Sequence, residues 1–106
     1  MLTHTDIAEH GERHVQAWLE EQGYQCVHNH AHHGQCDIEA RGEENDMVVH
    51  VVAALDPNPI PELTSYDIGR VVSRAMSLGI DAWSAKVLID GNGELIGEIQ
   101  WEQLNH

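Results

Sequence analysis

Two cysteines and four histidines fall within eleven residues: Cys26, His28, His30, His32, His33 and Cys36. Thiolate sulfur and imidazole nitrogen are the donors that tetrahedral zinc prefers, so the segment carries the right ligand types for a structural metal site. Its spacing follows alternate strand positions, and it contains neither a Cys-x-x-Cys pair nor a helical His-x-x-x-His pair. The plainer reading is a polar loop between two strand ends with two buried thiols. A Cys–His nucleophile on Cys26 or Cys36 needs a base held against the thiol, and no local signature of one accompanies either cysteine. A further histidine, His50, lies among valines in Met47–Ala54. There it reads either as a metal ligand or as a neutral imidazole satisfied by one or two hydrogen bonds.

The elements that must position these groups follow from periodicity. Ile7, Ala8, Val15, Trp18 and Leu19 recur at helical spacing and predict a helix over Asp6–Gln22, capped by Thr5 or Asp6 and closed by Gly23. Tyr24–Asn29 and Cys36–Arg41 read as strands, the second with Cys36, Ile38 and Ala40 on one face and Asp37, Glu39 and Arg41 on the other. Met47–Ala54 is apolar on both faces and belongs in the middle of a covered sheet. The prolines of Asp56–Pro61 impose a loop. A helix follows from Thr64 or Ser65 to Leu78, ended by Gly79. Ala82–Asp90 and Leu95–Trp101 then read as a hairpin turning at Gly91-Asn-Gly93. The order α-β-β-β-α-β-β predicts an α/β fold of three layers, α/β/α, around a mixed β-sheet.

At 106 residues the chain has material for one domain, 1–106, with a single modest core. No apolar run approaches the roughly 20 residues that cross a bilayer, and the first residues lack the basic and apolar regions of a secretory signal. A cytoplasmic protein without a membrane partner is the expectation. Eighteen acids stand against Lys86 and four arginines, for a formal charge of −13. That field repels polyanions and disfavours binding to nucleic acid through counterion release. Trp18, Trp83 and Trp101 read as core or interface anchors in a chain without phenylalanine.

Several of these residues together resemble the restriction-endonuclease-like, or PD-(D/E)xK, nuclease superfamily, and within it the small bacterial Holliday-junction-resolvase-like proteins. In those proteins a first helix opens with Gly-Glu and runs through an aromatic-Leu pair to Gly-Tyr. Here Gly11-Glu12, Trp18-Leu19 and Gly23-Tyr24 match. The family's second strand reads Gly-Glu-Ile-Asp-Leu-Ile-Ala-Arg, against Gly34-Gln35-Cys36-Asp37-Ile38-Glu39-Ala40-Arg41 in this chain. Its third strand carries Glu-Val-Lys, and at the corresponding distance from Asp37 this chain has His50-Val51-Val52. The resemblance spans residues 11 to 54 in register.

The resemblance implies a metal-dependent phosphodiesterase site of Glu12, Asp37, His50 and Lys86, with Asp37 and His50 as ligands to a divalent ion: manganese, magnesium or zinc. The departures make that site degenerate. Histidine in place of glutamate suits magnesium poorly, and Val52 can do none of the lysine's work, leaving Lys86 on a neighbouring strand as the one substitute. The resemblance therefore implies a nuclease-superfamily domain that is catalytically weak or inactive and serves as a binding or regulatory module in DNA metabolism, working with a protein partner. Family analogy adds a homodimer and a link to nucleic acid that the charge opposes. Two rivals stay open: an active metal-dependent nuclease with a rearranged site, and an acidic protein-interaction module or nucleic-acid mimic.

Overall fold

The computed structural model describes residues 1–30 and 36–105, with the side chains of residues 29, 30 and 36 left aside. The loop expected at His30–Gly34 lies almost wholly outside the described residues. So do the side chains of His30, His32, His33 and Cys36 in the suggested metal segment. The elements are α1 (His4–Glu21), β1 (Gln25–His30), β2 (Cys36–Arg41), β3 (Asp46–Leu55), α2 (Ser65–Leu78), β4 (Asp81–Ile89) and β5 (Gln100–Gln103). The five strands form one mixed sheet in the order β1-β2-β3-β4-β5. All neighbours are antiparallel except β3 and β4, which run parallel because α2 crosses between them.

Helix α1 begins two residues earlier than periodicity suggests, because Thr3 and not Thr5 or Asp6 is its cap. The Thr3 hydroxyl accepts from the Asp6 N–H, and the Asp6 carboxylate accepts from the Thr3 N–H at 2.9 Å. This reciprocal pair satisfies two backbone donors that the first helical turn leaves open. Helix α2 is capped by Thr64 and ends at Gly79, whose φ of 72° lies in the left-handed region.

Strand β3 sits in the middle of the sheet, as its two apolar faces require. Met47, Val49 and Val51 pack with Val15 and Leu19 of α1, together with Ile38, Ala85, Val87 and Ile89. Val48 points the other way, onto Val71 and Ala75 of α2 and Ala82 of β4. One helix therefore covers each face of the sheet. On α1 the backbone comes close to β3 at Gly11, where an added Cβ would stand 2.6 Å from the Ala53 Cβ. Glycine is what lets the helix axis come this near to β3.

The expected final hairpin differs in detail. After the turn at Gly91–Gly93 the chain makes a single bridge, Ile89 to Leu95, and β5 forms only at Gln100–Gln103. It pairs with Trp83–Lys86 of β4, so the edge strand lies nearer the start of β4 than its end. Gly97 (φ 71°), between the bridge and β5, marks where the chain leaves a direct hairpin path.

Candidate functional site

The β2–β3 register sets Asp37 directly opposite His50. Both side chains point to the α2 face, because Ile38 and Val49, their neighbours along the strands, point to the α1 face. The His50 Nδ1–H donates to Asp37 Oδ1 at 2.9 Å, and the two side chains are 1% and 3% exposed. A carboxylate only accepts, so Nδ1 carries the hydrogen in this pair. From α2, the Arg70 guanidinium donates to both Asp37 oxygens, to Oδ2 at 2.5 Å and to Oδ1 at 3.3 Å. The matched planes of guanidinium and carboxylate make this fork the strongest kind of side-chain pairing available to an acid.

The same device repeats one helical turn later, where Arg74 pairs with Glu39. Four residues along a helix advance about 6 Å and two along a strand about 6.6 Å, so an Arg-x-x-x-Arg helix can register on an Asp-x-Glu strand. Glu39 also accepts from Arg41, which reaches Asp46 at 3.1 Å. The α2–β2 contact is thus built from ion pairs, whereas the α2–β3–β4 contact is built from Val48, Val71, Ala75 and Ala82.

These partners set the ionisation of the acids. Burial alone pushes the Asp37 carboxyl up, but hydrogen bonds from His50 and Arg70, and the Arg70 charge, outweigh it and hold the group below its ordinary value. The Arg74 hydrogen bond holds Glu39 down in the same way. Arg70 is pushed up by its hydrogen bond to Asp37.

The other two predicted site residues lie apart from this network. Glu12 sits on α1, across the sheet, with its carboxylate 3.7 Å from His28 Nδ1. His28 is in turn hydrogen-bonded to Gln16 Oε1. Lys86 is opposite Val52 in the β3–β4 register, hence next to the position where the resemblance calls for lysine, and its ammonium donates to Glu62 at 3.2 Å. A cavity of about 340 Å³ opens between the first half of α1, the second half of β3 and the loop carrying Pro59 and Pro61. Glu12 and His50 both line it, together with Val52 and His4, while Asp37 and Lys86 do not. The fold therefore joins Asp37 to His50, and His50 to Glu12 across a cavity, and leaves Lys86 on its own acid.

The register also extends the Asp37–His50 row to Ser84 on β4. An Asp–His–Ser row invites comparison with a hydrolase triad, yet the Ser84 hydroxyl is fully buried and makes no hydrogen bond. A nucleophile needs both a base in contact and a path to substrate, and Ser84 has neither.

Among the described residues, no three His, Cys, Asp or Glu side chains converge as a metal-binding group. Both Asp37 oxygens already accept from Arg70, which places a fixed positive charge where a metal ion would approach. Cys26 is a half-buried free thiol whose pKa is raised by burial and by Glu20, the opposite of what an activated nucleophile requires. Arg70 and Arg74 are the site residues that sequence reasoning passed over. Their signal was the four-residue spacing along α2 beside the Asp37-x-Glu39 alternation.

No helix among the described residues is long and apolar enough to cross a membrane. No protein-family model matches the chain, and no curated protein matches it.

Proposed function

We propose that the chain is a nuclease-superfamily domain in which a salt-bridged cluster occupies the former metal centre, and that it acts as a binding or regulatory module without cleaving phosphodiesters. One observation carries this reading: Asp37, the position that the resemblance makes the metal ligand, is buried and forked by Arg70, with His50 donating to it in place of a second carboxylate. A divalent ion at Asp37 would have to displace a guanidinium from both oxygens, and it would find an imidazole that donates rather than accepts. The element order and the antiparallel β1-β2-β3 run followed by a parallel β4 support a restriction-endonuclease-like arrangement. The charge of −13 favours a basic protein partner over DNA. A homodimer remains part of this proposal by analogy with resolvase-like domains.

The test is calorimetric titration of manganese, magnesium and zinc into the metal-free protein and into Asp37→Ala, with cleavage assays on linear and branched DNA alongside. The expected result is no binding that depends on Asp37 and no cleavage. Zinc taken up equally by both proteins would lie away from Asp37 and leave the proposal standing. Stoichiometric manganese binding abolished by Asp37→Ala, together with cleavage, would overturn the proposal in favour of an active, rearranged nuclease.

A further inference from the structure

All three tryptophans of the chain line one cavity at the end of the sheet away from His50. Trp18 comes from the last turns of α1, Trp83 from β4 and Trp101 from β5, three segments far apart in sequence. The cavity has a volume of about 360 Å³, within the roughly 300–1,000 Å³ span of small-molecule sites. Tyr24 forms a further wall, and Met47 also lines it. The tyrosine is held firmly: its hydroxyl donates to Asn45 Oδ1 at 2.7 Å, and its ring lies against Gly42, where an added Cβ would meet Tyr24 Cε1 at 2.8 Å. Part of this aromatic wall is therefore in place before any ligand arrives.

The geometry of the rings selects the shape of the guest. The Trp18 and Trp101 centroids are 4.8 Å apart with planes inclined at 43°. Rings in mutual contact leave no slot for a flat base between them, and inclined faces suit a rounded group better than a planar one. The charge selects its sign. No lysine or arginine is among the described residues that line this cavity or the hollow adjoining it. That hollow shares Gln22, Tyr24 and Asn45 with the aromatic cavity and brings in Glu43 and Glu44, both exposed at the β2–β3 turn. Aromatic faces beside carboxylates, on a molecule of charge −13, attract a cation and repel an anion.

We infer that this cavity is an aromatic cage for a methylated ammonium group, carried either by a free choline-like molecule or by a trimethylated lysine side chain. The rings would contact the methyl groups while Glu43 and Glu44 face the positive charge from the rim. A quaternary ammonium fits this chemistry better than a primary one, because it gives up less hydration on entering an apolar box. This inference does not depend on what has become of the Asp37 centre.

The whole protein would be titrated with choline chloride, with a trimethyl-lysine peptide and with 3,3-dimethylbutan-1-ol, the uncharged analogue of choline, at matched ionic strength. Tryptophan emission is the readout, since every tryptophan in the chain lines this cavity, and calorimetry checks the stoichiometry. The expected result is a saturable change with at least one cationic ligand and binding about tenfold weaker for the uncharged analogue. Choline alone saturating would assign a free ligand, and the peptide alone a protein-borne one. Trp101→Ala should remove the response. Because that substitution touches an edge strand, the surface variant Glu43→Gln with Glu44→Gln is made as well, and it should weaken binding about twofold to fivefold. Equal binding of cation and uncharged analogue would overturn the inference. So would the absence of saturation with either cation, or emission that changes with protein concentration because a second copy covers the cavity.

Discussion

Replacing Arg70 with methionine keeps the aliphatic stem over the sheet and removes the guanidinium from Asp37. The carboxylate left behind is 3% exposed, and His50, itself 1% exposed, still donates to it. Taking one partner from a buried ion pair costs about 3–5 kcal/mol, because the other charge stays desolvated. Arg70 is 27% exposed and His50 still donates, so the lower end applies, about 3 kcal/mol at pH 7. For a domain of this size that corresponds to a fall in Tm of roughly 10–20 °C.

The pH dependence gives the reasoning its sharper test. In the intact protein Asp37 titrates below its ordinary value of 3.8, so its contribution is complete above that pH and is lost as pH falls through the lower folded-state value. In Arg70→Met the His50 hydrogen bond still holds the carboxyl down, but the hydrogen bond and charge of Arg70 no longer offset its burial, so the carboxyl rises and acid relieves the variant rather than weakening it. The stability difference between the two proteins should therefore be widest near neutrality and shrink as pH falls from about 5 towards 3. Taking the difference cancels the general acid response of the other carboxylates. Urea unfolding at several pH values measures it, with Asp37→Asn combined with Arg70→Met recovering at least half the loss at pH 7. A variant within about 0.5 kcal/mol of the parent at pH 7, or a gap constant down to pH 3.5, would refute the account of Asp37 as a buried, charge-compensated group.

Two further substitutions probe the packing around the site, and both are read by urea or thermal unfolding. Gly11→Ala should gain about 1 kcal/mol of helix propensity and still destabilise by about 1–3 kcal/mol, because its Cβ would lie 2.6 Å from that of Ala53; a net gain would show that α1 can lift from β3 at little cost. Ser84→Ala removes a fully buried hydroxyl that makes no hydrogen bond and should be neutral or stabilising by up to about 1 kcal/mol, whereas a loss above 1 kcal/mol would reveal a partner for that hydroxyl.

Local pattern was enough to read both helices, the first four strands and the sheet's most buried strand. The doubly apolar run at Met47–Ala54 could be satisfied only between two covering layers, and Gly23 and Gly79 announced the ends of the helices. Local chemistry also limited what the Asp37 position could do, since a histidine and a valine stand where the resemblance asks for glutamate and lysine. What sequence could not supply were relations between segments. Whether Asp37 and His50 share a face depends on strand register, in which a shift of one residue would turn one of them to the opposite layer. That Arg70 closes over Asp37 depends on where α2 lies across the sheet, a matter of packing that brings together residues 33 apart in sequence. Glu12 shares a cavity with His50 although α1 covers the opposite face, because that cavity opens beside the second half of β3. The final hairpin was misread for a related reason. The turn at Gly91–Gly93 is a local signal, but the place where β5 attaches is fixed by its pairing with Trp83–Lys86. The gathering of Trp18, Trp83 and Trp101 was invisible along the chain, because each residue alone is an ordinary apolar anchor. Only the fold, by bringing the end of α1 against β4 and β5, turns them into the walls of one cavity.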